Sequence, residues 1–238
     1  MSTPVPLTDE RHADLRVEAG HGAALGDARN LVPVFVSELN EVQREYAVLF
    51  QRLEDGGRQL VALLGFEKDE NLFLDESRWD ARYVPAFLAR GPFMIGFDGD
   101  GPDTRSVVYV DEASPRIAAA GGEAIFTEHG GNTPYFDHVL RVLRLIEKGQ
   151  RDGGPILEQL AQHDLLEPLD LTVRISAEQE AVIPGFETIN TERLAALSGD
   201  ALAELNASGA LRTAFLAAAS LSNVQHLALR KQRRSRAA

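Results

Sequence analysis

Asn132-Thr133-Pro134-Tyr135-Phe136-Asp137-His138-Val139-Leu140-Arg141-Val142-Leu143-Arg144-Leu145-Ile146 is the stretch where the sequence changes character. Thr133 can accept a hydrogen bond from an amide of a first helical turn. Proline next to it gives up a donor that would be unpaired there anyway, and Asp137 complements the positive end of the helix. Phe136, Val139, Leu140, Leu143 and Ile146 recur at three- and four-residue spacing, so they share a face that must bury against a neighbour. The spacing predicts a helix ending at Gly149 and a second one, Pro155 to Leu166, opening after Gly153-Gly154.

Upstream, the pattern is that of strands. Leu31 to Val36 is an apolar run, Ser37 can cap a short helix through Arg44, and Tyr46 to Phe50 reads as a buried strand. Glu54-Asp55-Gly56-Gly57 is a turn, and Gln59 to Phe66 with Asn71 to Asp75 reads as a strand pair joined by the charged turn Glu67 to Glu70. Tyr83 to Arg90 can form a short helix if Pro85 lies in its first turn. Phe93 to Phe97 and Ser106 to Asp111 flank the turn-rich segment Asp98 to Thr104 as a hairpin. Residues 1–30, with Pro4, Pro6, Gly20, Gly22 and Gly26, read as an arm without regular elements.

Downstream, Leu169 to Ile175 and Gln179 to Ile189 form a further hairpin. Thr191 and Ser198 are candidate helix caps, and Gly209 suits a left-handed helix terminus. Ala210 to Lys231 reads as one long helix with Leu211, Phe215, Ala218, Leu221 and Leu229 among its apolar positions. The expected fold class is therefore α+β, a mainly antiparallel sheet in the N-terminal half with helices packed on it and a helix-rich C-terminal half. One domain over 1–238 is expected, with lobes 1–131 (strand-rich) and 132–238 (helix-rich with one hairpin).

Hydrophobic residues at 44% and charged residues at 25% suit an ordinary globular core. No apolar run reaches the roughly 18 residues a membrane span needs. The N-terminal residues lack the basic and apolar regions of a secretory signal, so a cytoplasmic location is expected. With no cysteine, disulfides, thiolate nucleophiles and cysteine-ligated metals are excluded. The formal charge of −12 argues against nucleic-acid binding by the body of the chain. The C-terminal run Arg230, Lys231, Arg233, Arg234 and Arg236 is basic; it reads either as a solvated helix end or as a contact for an acidic surface.

Motifs that would carry chemistry are few. The six histidines, His12, His21, His129, His138, His163 and His226, form no metal-ligand motif, and His12-Ala-Asp14 lies in the irregular arm. Asp98, Asp100 and Asp103 resemble a calcium loop, but Tyr109 stands where the bidentate glutamate belongs. Nucleotide-cradling glycine loops and serine-nucleophile motifs are absent, and the adjacent pairs Asp75-Glu76 and Asp111-Glu112 would point apart on strands. No cofactor is expected. In Arg78-Trp79-Asp80-Ala81-Arg82-Tyr83 the only tryptophan lies between guanidinium groups able to recognise a carboxylate or stack on aromatics. The alternative is that Trp79 and Tyr83 pack while Arg78 and Arg82 pair with Asp80 or Glu76. His129 and Asn132, ahead of the helix at Pro134, form a second candidate, as an anion site or as an ordinary cap.

Val61-Ala-Leu-Leu-Gly-Phe66 and Asn71-Leu-Phe-Leu-Asp-Glu-Ser-Arg-Trp-Asp-Ala-Arg-Tyr-Val-Pro-Ala-Phe87 resemble the SapC family. The similarity extends to Arg29–Pro33, Arg44–Phe50, Val110–Ser114, Asp164–Pro168, Gly185–Asn190 and Leu221–Gln225, nearly the whole chain. Ala89-Arg90-Gly91-Pro92-Phe93 departs from relatives that often carry a second basic residue and an aromatic before Pro-Phe, so no anion-binding role is expected there. The resemblance implies a bacterial surface-layer or secretion context, and no established activity. It leads to the expectation of a non-catalytic accessory protein that binds a protein or peptide partner. The alternative is an auxiliary enzyme or enzyme partner in peptide or aromatic modification, since relatives occur beside halogenase-like and cupin-like proteins.

Overall fold

Antiparallel pairing between segments remote in sequence organises the chain. The computed structural model of the protein describes residues 3–75, 78–98, 105–118, 121–176 and 180–237. Its contacts divide into two units. One comprises Met1–Ala28, Leu74–Asp80 and Ala86–Glu147, the other Arg29–Phe73, Ala81–Pro85 and Lys148–Ala238. These interleave, so neither coincides with a contiguous stretch such as 1–131 or 132–238. The class is α+β, with antiparallel sheets and a helical C-terminal part.

In the first unit the expected hairpin forms from Phe93–Asp98 and Arg105–Val110. Asp98 ends the first of these strands, and residues 99–104, with Asp100 and Asp103 of the supposed calcium loop, lie outside the described residues. The N-terminal arm is more regular than its composition suggests. Val5–Pro6 pairs with Tyr109–Val110, and Arg16–Val17 lies between Ile117–Ala118 and Glu123–Ala124. Two-residue strands are too short to show a period in the sequence. Val17, Phe93, Val110, Ile125, Phe136, Val139 and Leu143 form this unit's core. The face predicted for the helix is thus the buried one, and each such side chain contributes about 1.5–3 kcal/mol on burial.

The second unit holds a five-stranded antiparallel sheet, in spatial order Leu166–Arg174, Glu180–Ile189, Ala47–Arg52, Arg58–Leu63 and Leu31–Val34. Pro33 sits on the last of these, an edge strand, where a missing amide donor is tolerated. Arg58–Leu63 pairs with Ala47–Arg52 and Leu31–Val34, not with the segment after Glu70 as expected. That segment contributes only Leu74–Asp75, paired with Arg78–Trp79 in the other unit. In the C-terminal hairpin the register shifts between Leu169 and Leu171. Pro184-Gly185 opposes Asp170 there as a β-bulge, and Gly185 takes φ 85°, which its missing Cβ permits.

Three helical expectations require correction. Pro134–Gln162 is one helix of 29 residues, opened by Thr133, whose hydroxyl accepts from the Phe136 amide at 3.3 Å. It runs through the glycines read as a stop. A Cβ at Gly149 would lie 2.4 Å from that of Phe35 and 2.5 Å from the Ser37 hydroxyl, so this glycine serves close approach, not termination. Second, the cap of the short helix Leu39–Val42 is Glu38, not Ser37.

Third, the C-terminal helix is two helices, Ala210–Ser220 and Asn223–Ala237. The break lets two side chains complete the strand Ala47–Arg52 and the turn before it. Ser220 accepts from the Val48 amide at 2.9 Å, while the Asn223 amide donates to the Gln43 and Tyr46 carbonyls at 2.8 and 3.1 Å. The buried face of Ala210–Ser220 is Ala210, Thr213, Ala214, Ala217 and Ser220, and Phe215 is 56% exposed. Small residues allow close backbone approach, so the alanines and not the large side chains set the inward face. Ser198 and Gly209 act as expected, whereas Asn190 caps the helix at Thr191–Ala195.

Candidate functional site

Within the second unit, a cavity of about 380 Å³ is lined by Glu41, Arg44, Glu45, Phe73, Arg82, Tyr83, His226 and Arg230. Four segments converge on it, and the hydrogen bonding of each explains its position. Glu45, just after the helix Leu39–Val42, accepts the backbone amides of Arg82 (2.9 Å) and Tyr83 (3.3 Å). That anchors the 81–85 segment. The Tyr83 phenol donates to the Glu38 carboxylate at 2.7 Å, and the Tyr46 hydroxyl donates to the Tyr83 carbonyl. Burial, and then the charge of Glu38, push the Tyr83 phenol well above its ordinary pKa, so this ring stays neutral. Glu38 is itself buried and also accepts from the Phe35 amide at 3.0 Å.

The floor is aromatic. The Asn71 side chain accepts the Phe73 amide at 3.0 Å, turning the chain so that the Phe73 ring stacks 4.6 Å from that of Tyr46. The Arg230 guanidinium lies 4.5 Å over the Phe73 ring, a cation–π contact. His226 precedes Arg230 by one helical turn and shares its face. Both are held by the clamp that fixes the C-terminal helix to the loop Glu67 to Asn71. The Lys231 ammonium donates to Glu67 at 2.8 Å and Glu70 at 2.5 Å, and Arg234 donates to the Asn71 carbonyl at 2.9 Å. Partial burial opposes the Lys231 charge, but these two carboxylates outweigh it and hold its pKa above the ordinary value.

Lys231 and Arg234 therefore engage the loop Glu67 to Asn71 and Arg230 the Phe73 ring, while Arg233 and Arg236 are exposed with no ion pair among the described residues. The solvated-tail reading is corrected for Arg230, Lys231 and Arg234. The acidic stretch at Glu67 to Glu70, which reads as a bare turn in sequence, is their partner.

The lining carries three arginines against two glutamates, within a chain whose charge is −12. Arg44 is paired with Glu41 at 2.9 Å. The guanidinium of Arg82 has no carboxylate partner, and the ring of His226 no hydrogen bond, among the described residues. A spare guanidinium beside an aromatic floor is suited to hold a carboxylate or similar anion, bidentately at the guanidinium.

Arg78, Trp79, His129 and Asn132, also singled out in the sequence, lie in the first unit. Trp79 is 8% exposed, its ring 5.3 Å from that of His21. Arg78 is exposed and paired with Asp75 at 3.3 Å; Glu76 is outside the described residues. His129 and Asn132 are exposed in the loop closed by the Phe126 to Asn132 bridge, where Asn132 donates to Asp137 at 3.1 Å. Arg78, Trp79, Arg82 and Tyr83 are thus split, and only the last two line the cavity.

Sequence reasoning missed a buried charge network in the first unit. The Arg116 guanidinium donates bidentately to Asp27 at 2.7 and 2.8 Å, and to the Glu18 and Gly20 carbonyls at 3.2 and 2.7 Å. Asp27 also accepts from the Gly22 amide at 3.0 Å and faces the His21 ring at 3.2 Å. Burial works to raise the Asp27 pKa, but His21, Arg116 and the Gly22 amide outweigh it, so the carboxyl is held below its ordinary value. The partners are 89 residues apart in sequence, so no local pattern announces them. His12 is buried too, its ring 3.2 Å from Glu112. Among the described residues no group of three or more histidines and carboxylates is placed to hold a metal ion.

The chain is an α+β protein with an arginine-rich cavity lined by Phe73 and Tyr83 and, among the described residues, no helix long and apolar enough to cross a membrane. The chain matches the SapC family model over residues 7–227 and belongs to that family. No curated protein and no solved structure matches it.

Proposed function

We propose that this chain is a non-catalytic, cytoplasmic accessory protein that captures a protein or peptide partner during the handling of surface-layer or secreted proteins. The observation that supports this reading is the Arg82 guanidinium at a cavity floored by Phe73, Tyr83 and the stacked Arg230. An acidic side chain or chain terminus next to an aromatic residue satisfies both features at once. Its carboxylate meets the Arg82 guanidinium and its ring packs beside Tyr83 and the Arg230 guanidinium that covers Phe73. The surface-layer and secretion context is the part of this reading that the family resemblance implies.

The test is affinity purification of the tagged full chain from its native host, with crosslinking and mass spectrometry. The expected result is an exported surface protein or secretion component, crosslinked near Arg82 and the C-terminal helix, and lost with Arg82→Ala. Recovery of a partner unaffected by Arg82→Ala, or of none, overturns the reading and directs attention to substrate screening for the enzyme alternative.

A further inference from the structure

A second cavity, of about 770 Å³, lies elsewhere in the same unit. It is lined by Leu169, Leu171 to Ser176 and by Leu221, Val224, Gln225, Ala228, Leu229 and Gln232. Its volume falls in the range of about 300–1,000 Å³ usual for ligand sites. The lining pattern shows where it runs. On a face of a sheet only alternate residues of a strand would line a cavity, because successive side chains point to opposite sides. Here four consecutive strand residues, Leu171 to Arg174, line it together with Ile175 and Ser176 just beyond, and no residue of the paired strand Glu180–Ile189 does. The cavity therefore follows the free edge of the strand Leu166–Arg174, which is the outermost strand of its sheet.

Two further features describe the occupant. The first is hydrogen bonding. Leu166–Arg174 pairs only with Glu180–Ile189, so every other backbone N–H and C=O of Leu171 to Arg174 faces the groove, with no backbone partner among the described residues. The opposite wall, formed by Leu221, Val224, Gln225, Ala228, Leu229 and Gln232, is one face of the C-terminal helical region and offers side chains only. Val224 and Ala228 are buried there, while Leu229 stands 50% exposed. An apolar open edge is a liability unless something pairs with it. The upstream part of this strand is protected by Pro168 and by the bulge at Asp170, and the part along the groove is not. The second feature is charge. Arg236 lies one turn beyond Gln232 on the groove-facing side of the helix and is exposed, with no ion pair among the described residues.

We infer that this groove binds an extended peptide segment of a client protein as an added strand, paired to the backbone of Leu171 to Arg174. Its alternate aliphatic side chains enter the space between Leu171, Val173, Val224 and Leu229, and an acidic residue follows at the Arg236 end. This is strand addition to a sheet edge, in which backbone hydrogen bonds supply affinity and alternate side chains supply selectivity. An acyl chain would fill the aliphatic walls but leave the backbone groups unpaired, which disfavours a lipid occupant. The groove shares no residue with the Arg82 cavity, so the inference stands or falls independently of the function proposed there.

The experiment pans a displayed library of short peptides, alternating aliphatic and polar residues, against the full chain. Enriched peptides are then measured by fluorescence anisotropy against wild type and Leu229→Lys. Leu229 is half-exposed, so this variant keeps the fold; circular dichroism checks it, and Gln225→Asp on the same wall is the second variant. The expected result is enrichment of alternating sequences with an acidic end. Their affinity falls at least about tenfold in either variant, and equally when alternate peptide amides are N-methylated, while binding at the Arg82 cavity is unchanged. Three results overturn the inference. They are no enrichment over the Leu229→Lys control, equal binding of N-methylated peptide, and a wild-type dimer in sedimentation velocity that either variant converts to monomer, which would make a second copy the occupant.

Discussion

The Asp27–Arg116 network and the Arg82 cavity both concentrate charge, and they differ in how completely that charge is paired. Arg116 is 6% exposed and gives its donors to a bidentate carboxylate and two carbonyls; Asp27 is 1% exposed and gains an amide and an imidazole besides. Such a site has nothing left to offer a ligand. Arg82 is exposed, its backbone is fixed by Glu45, and its guanidinium is free of carboxylates among the described residues. Saturated charge acts as scaffold, whereas a positioned but unsaturated charge leaves donors for the ligand proposed at Arg82.

The largest expected effect breaks the scaffold side of this contrast. Arg116→Ala leaves a buried carboxylate without its ion-pair partner and should destabilise the fold by about 3–5 kcal/mol, read by urea unfolding. Tyr83→Phe tests whether the rear of the cavity is itself scaffold. Removing the donor to buried Glu38 should cost about 1–3 kcal/mol in the same assay.

A smaller effect is expected from acid. Because Asp27 is held below its ordinary pKa of 3.8 in the folded state, its contribution is complete above that value and is lost as pH falls through the folded pKa. The urea midpoint of wild type should therefore decline below pH 3.8, and in Arg116→Met that decline should flatten or reverse. The smallest effect on stability belongs to Arg82→Ala, which should unfold within about 0.5 kcal/mol of wild type and yet lose anion binding. Equal destabilisation by Arg82→Ala and Arg116→Ala would erase the distinction.

Much of the architecture could be read from local pattern. The cap at Thr133, the face Phe136, Val139, Leu143, the hairpin about 98–104 and the caps at Ser198 and Gly209 depend on neighbours in sequence, and local spacing reports them. What failed depended on distant partners. Gly149 reads as a helix stop until Phe35 is seen against it, and the break after Ser220 exists because Val48 and Gln43 need hydrogen bonds that Ser220 and Asn223 supply. The same holds for the site. Arg82 and Tyr83 stood out as a local cluster of guanidinium and ring, whereas His226 and Arg230 lie on a helix held at the cavity by contacts remote in sequence, among them Asn223 on Gln43 and Lys231 on Glu67 and Glu70. The basic tail was legible as charge, but its acidic counterpart lies more than 160 residues away.

The central claim, that the Arg82 cavity receives a carboxylate beside an aromatic group, is tested most directly by calorimetric titration of the full chain with a short acidic–aromatic peptide of alternating Glu and Phe, and with its Gln counterpart. Binding of the acidic peptide should weaken with salt and fall at least about tenfold in Arg82→Ala, with little binding of the Gln peptide. Equal affinity for both peptides, or for wild type and Arg82→Ala, would contradict it.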